Sequence, residues 1–212
     1  MSVQPAGRWR RRKQARPAEI VEAALEVFAE KGFSAARIDD VAARAGISKG
    51  TLYLYFASKE ELFKAVVRQA LLPNLARVER MLAAHPGTAA ERIATVIGQI
   101  GALLQSTRIG VIPKLVIAEA GNFPELARFY HEEVIRRGLG LLGGEIERGI
   151  ARGEFRPVDP GDGARLLVAP VLLAAIWKTT FEAHAGAPLD AQAFLATALE
   201  VLLRGLRADG EE

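Results

Sequence analysis

Along this chain apolar residues return every three or four positions, the spacing of one face of an α-helix. Ile20, Ala24, Val27 and Phe28 follow it, as do Leu62, Val66, Leu71 and Leu75, and later Leu195, Leu199, Leu202 and Leu206. No stretch alternates convincingly with the two-residue period of a strand. The expected fold class is therefore all-α. With 212 residues, half of them apolar, the chain can bury a substantial core.

Glycines, prolines and caps divide the pattern into elements. A first helix is expected over 17–31, between Pro17 and Gly32, and two short ones over 38–45 and 49–55 on either side of Gly46. Ser58-Lys59-Glu60-Glu61 reads as a capping box that opens a long helix to Ala84, kinked at Pro73. Further helices are expected near 88–105, 108–120, 124–152, 160–185 and 190–207, with Asp159 and Asp190 as caps. Residues 1–57 form one expected unit and 58–212 a second, joined by the fourth helix.

Charge separates the same two parts. Residues 1–68 hold 13 Lys/Arg against 8 Asp/Glu, and residues 69–212 hold 15 against 17. A basic front suits an anionic partner, and equally a solubilising tail. Cysteine is absent, which excludes disulfides and thiolate metal sites. The longest apolar run, Leu166 to Trp177, has 12 residues and includes Pro170. A bilayer span needs roughly 20, so a buried helix and a cytoplasmic protein without membrane contact are expected. His85, His131 and His184 lie far apart, and no nucleophile elbow, phosphate loop or dinucleotide fingerprint is present. Neither catalysis, a cofactor nor a metal site is expected.

The stretch "AGISKGTLYLYFASKEELF", from Ala45 to Phe63, carries the functional reading. Two short helices about a tight turn at Gly46 are helix-turn-helix geometry, in which the second helix enters a major groove about 12 Å wide. Ser48, Lys49 and Thr51 fall in that helix's first turn, where free N–H groups favour an anion. Tyr53 and Tyr55 carry phenols suited to phosphate oxygens, and Lys59 adds charge at the next helix. Lys49 suits a guanine edge, and Thr51 or Leu54 a thymine methyl. The competing reading has the tyrosines filling the interface with the first helix, and Ser48 acting only as a cap.

With those residues in view, "GFSAARIDDVAARAGISKGTLYLYFASKEELF" resembles the DNA-binding segment of the TetR family of bacterial transcriptional regulators. The resemblance implies a homodimer that reads a palindromic operator in double-stranded DNA, with a C-terminal domain for a small-molecule ligand. It places Ser48, Lys49, Gly50, Thr51, Tyr53 and Tyr55 at DNA-contacting positions and Lys59 at a phosphate-gripping one. Where the family often has Ser or Thr capping the second helix, this chain has Arg37, so the cap is lost while a phosphate contact stays open to arginine. The arm "RWRRRKQAR" suits an adjacent minor groove or plain attraction to the backbone.

In the C-terminal part, Phe123, Phe129, Tyr130, Trp177 and Phe181 are the aromatic candidates for lining a ligand cavity, with ordinary core packing as the alternative for each. Pro113 and Pro170 are expected to kink their helices and open space. Gly138, Gly140, Gly143, Gly144 and Gly149 call for close helix packing or for a helix that shifts. The apolar faces of 163–183 and 191–206 suit packing across a twofold axis. The rival to this regulator is a helical ligand-binding or interaction protein that no longer recognises DNA.

Overall fold

The computed structural model describes the backbone of residues 7–208 and the side chains of residues 17–208. Its elements are α1 (Gly7–Lys31), α2 (Ile38–Arg44), α3 (Lys49–Tyr53), α4 (Lys59–Ala70), α5 (Leu72–Ala84), α6 (Ala89–Ser106), α7 (Val111–Glu119), α8 (Pro124–Tyr130), α9 (Arg136–Ala151), α10 (Pro160–Ile176) and α11 (Ala191–Leu206). Among the described residues the one non-helical pairing is an isolated bridge between Phe155 and Arg207.

Helix α1 begins ten residues before the expected start and runs through Pro17. Arginine, lysine, glutamine and alanine are good helix formers, and they outweigh the one backbone bond that Pro17 forfeits. The backbone of the basic arm is thus part of α1. Its side chains, Trp9 included, lie outside the described residues. Gly32, at φ +79°, ends the helix in the left-handed conformation that glycine adopts at little cost.

Two cores form. In the first, Phe28, Phe33 and Phe63 meet with ring centroids 5.3–5.8 Å apart, and Phe123 stands edge-on to Phe33 at 4.9 Å. The inner face of α4, together with α7 and α8, completes this core. The second gathers α5, α6, α9, α10 and α11. Arg92 and Glu145 are buried within it and pair at 2.6 and 2.9 Å, so each charge is compensated where an unpaired one would be costly. Gly149 is pressed by the Phe155 ring, and Gly140 and Gly144 face open space, so close packing accounts for the first and not for the other two.

The expected long helix is broken one turn short of its proline. α4 stops at Ala70, Leu71 turns out of line, and Pro73 sits in the first turn of α5, where its missing N–H costs nothing. The Asn74 side-chain amide donates to the Ala70 carbonyl at 2.8 Å and fills part of the gap. Pro113 lies in the first turn of α7 for the same reason and needs no kink. Helix α10 runs unbroken through Pro170. The predicted 124–152 helix instead contains a π-helical turn at His131–Ile135.

Segment Pro160–His184 has the length and apolarity to span a bilayer, with mean hydropathy 1.5. It is not the buried helix expected from its composition. One side packs on α9 and α11, while Leu166, Leu173, Trp177 and Phe181 remain exposed in a stripe.

Candidate nucleic-acid interface and effector cavity

Local chemistry builds α3. Gly46, at φ +66°, reverses the chain after α2. Ser48 then caps α3 by accepting from the Thr51 N–H at 3.1 Å, and its hydroxyl also meets the Thr51 hydroxyl at 2.9 Å. Leu52 is fully buried beneath, so the remaining positions are forced outward. Ser48, Lys49, Gly50 and Tyr53 are exposed, and Leu54 is 83 % exposed. Thr51 and Tyr55 are half-buried, and Tyr55 packs against the first core. A Cβ on Gly50 would meet only the Ser48 hydroxyl, at 3.9 Å. Nothing inside the protein requires glycine there.

Arg37 precedes α2 with its side chain exposed. The Asp40 carboxylate accepts from the Arg37 backbone N–H at 3.1 Å, so one half of the capping arrangement survives the lost Ser/Thr. The Asp40 carboxyl is held below its usual range, first by Lys31 at 2.8 Å and then by that backbone bond.

Lys59 is engaged within the protein itself. Its ammonium donates to the carbonyls of Phe33, Ser34 and Ala36 at 2.8, 3.0 and 3.1 Å, and lies 4.6 Å over the Phe33 ring. An ammonium has three donors. All three are directed at the α1–α2 turn, so a phosphate contact would have to compete with these carbonyls.

A cavity of about 440 Å³ opens between α5, α6, α7, α9 and α10. Its wall is apolar apart from Asn74, Arg77, Gln99, Ser106 and Tyr130. Of the five aromatic candidates only Tyr130 lies on it. Burial pushes the Tyr130 phenol up to about 12. Phe123 and Phe129 belong to the first core instead, with Arg68 over the Phe129 ring at 4.8 Å. The Trp177 and Phe181 rings meet at a tilt, with centroids 5.6 Å apart, on the exposed side of α10 and the turn that follows it. Helix rotation decides which face of each element looks inward, and residue type alone did not reveal it. The residues missed were mostly aliphatic, and Pro73, beside Leu71, Asn74 and Leu75 on the cavity wall, was the available clue.

Helix α7 joins the two regions. Ile109, Gly110 and Pro113 at its start line the cavity, and Glu119 at its end accepts from the Ser34 N–H at 3.0 Å and the Ser34 hydroxyl at 2.7 Å.

Sequence comparison fits this layout. Residues 20–66 match the model of the tetR family of bacterial regulatory proteins, and residues 83–192 match that of the tetracyclin repressor-like C-terminal domain. The chain belongs to the TetR family. Its relatives include the fatty acid metabolism regulator protein of Bacillus subtilis, 30 % identical over 68 % of this chain and 74 % of that one. The transcriptional repressor KstR2 of Mycobacterium tuberculosis is 29 % identical over 92 % of this chain and 94 % of its own. The solved KstR2 structure superposes with a TM-score of 0.72 at 27 % identity, covering 92 % of this chain and 96 % of that one. FadR from Bacillus subtilis in complex with stearoyl-CoA has the same fold, with a TM-score of 0.72 at 24 % identity, over 90 % and 99 % of the two chains. As a TetR-family member the chain is a ligand-responsive, DNA-binding transcriptional regulator that acts as a dimer.

Proposed function

We propose that this protein is a non-enzymatic, cytoplasmic repressor, released from its palindromic operator by an extended, largely apolar ligand. The DNA-binding unit, 1–57 in its simplest division, presents α3 to the major groove through Ser48, Lys49, Gly50, Thr51, Tyr53 and Tyr55, with Arg37 at the flanking phosphates. The open space over Gly50 is what carries this reading. A glycine that the fold does not need, beside a capped helix end and exposed Lys49 and Tyr53, suits close approach of a DNA backbone.

The apolar cavity supplies control. FadR was solved in complex with stearoyl-CoA, and KstR2 is a ketosteroid transcriptional regulator. The wall of this cavity, apolar with a few polar groups, suits the same broad chemistry. Filling it would press on the α4–α5 break at Leu71 and on the start of α7, both of which reach the first core. A ligand releases DNA only to the extent that it binds the DNA-free arrangement more tightly.

The test is operator affinity with and without stearoyl-CoA, on a palindrome selected from random duplexes. Saturating stearoyl-CoA should weaken binding about 5- to 150-fold, the usual range of such coupling. Unchanged affinity, with stearoyl-CoA shown not to bind, would remove acyl thioesters from the effector class.

A further inference from the structure

Asp39 stands in the first turn of α2 with half of its side chain exposed. Both of its carboxylate oxygens lie 3.1 Å from the Lys49 ammonium, across the turn at the start of α3. Its neighbour Asp40 is occupied elsewhere, with Lys31 and the Arg37 N–H. Among the described residues Lys49 is the one polar partner of the Asp39 carboxylate. A negative charge at the rim of a surface that receives a polyanion weakens binding unless it serves another purpose.

We propose that Asp39 is a positioning residue for sequence discrimination: it holds the Lys49 ammonium toward the groove and offsets its charge against phosphates. The inference rests on the DNA-facing reading of α3. Lysine has a long flexible stem, and fixing it before binding lowers the entropy lost when it meets a base edge. Lys49 is itself half exposed, so its ammonium can keep Asp39 and still reach a guanine O6 or N7. On a noncognate duplex no base acceptor is in register, and the carboxylate repels the backbone and competes with phosphate for the ammonium. Asp39 thus favours the operator and penalises other DNA.

The test measures Asp39→Asn on two duplexes, the selected palindrome and a scrambled one of equal length and composition, between 50 and 200 mM salt. An exposed ion pair contributes about 0.2–1 kcal/mol, so operator affinity should fall by about threefold. Affinity for the scrambled duplex should rise by about twofold, and its log–log salt slope should steepen by about 0.9 as Lys49 gains a phosphate. In a Lys49→Ala background Asp39→Asn should no longer lower operator affinity, whereas loss of a purely helix-stabilising carboxylate would still lower it. Equal tightening on both duplexes, or no change on either, would overturn the proposal. If Lys49→Ala itself leaves operator binding intact, the DNA-facing reading of α3 fails along with it.

Discussion

Lys59 and Lys49 lie ten residues apart and their ammonium groups meet opposite fates. Lys49 stays half exposed beside a single carboxylate. Lys59 gives every donor it has to three carbonyls of the turn that sets α2 against α1. Hydrogen bonds to a charged group contribute about 1.5–3 kcal/mol, and the abandoned carbonyls add a cost of their own. Lys59→Met should therefore lower stability by about 2–3 kcal/mol, read from the urea midpoint. Arginine should not restore it, because a planar fork cannot direct donors at three carbonyls around one point. Full stability with uniformly weaker DNA binding would return Lys59 to the phosphate-contacting role implied by the family resemblance. At this scale the sequence identified the residue types and missed the partners. Asp39 and Lys49 meet across a turn, and Ser34 and Glu119 meet from 85 positions apart. No local pattern encodes such meetings.

Helix α7 is a strut with one end on the cavity wall and the other on Ser34. That hydrogen-bonded contact holds the Glu119 carboxyl below the usual carboxylate range, chiefly through the Ser34 hydroxyl. A depressed folded value means that the contact is present at neutral pH and stabilises the fold above the ordinary carboxylate value. Its contribution is lost as pH falls through the depressed value. Ser34→Ala should reduce the ligand-induced change in operator affinity while altering ligand-free affinity by less than about threefold, and its stability deficit should vanish in acid. An unchanged ligand response would place the coupling elsewhere, with the α4–α5 break as the remaining route. Elements with local punctuation were legible: Gly32, Gly46, Ser48, Ser58, Asp159 and Asp190 mark their ends as expected. The start of α1, the stop at Leu71 and the π-helical turn after Tyr130 were not: helix formers carry α1 past Pro17, and neither Leu71 nor Tyr130 supplies a side-chain cap that would mark a boundary.

For the whole molecule, the two cores meet through α7, which belongs to the first and packs on α10 of the second, so neither the DNA-facing helix nor the cavity is mechanically isolated. The exposed stripe of Leu166, Leu173, Trp177 and Phe181, with Val201 on α11, lies on the faces expected to pack across a twofold axis. Twofold symmetry in the protein requires twofold symmetry in the site it reads. The most direct measurement is selection from a random-sequence duplex library by the full chain at about 0.15 M salt, a concentration at which nonspecific binding is already weak. The prediction is one enriched palindrome with half-site centres about one helical turn, near 34 Å, apart. Recovery of unrelated duplexes with no shared palindrome would contradict it. In that case the basic front binds the DNA backbone alone, and α3 does not read sequence.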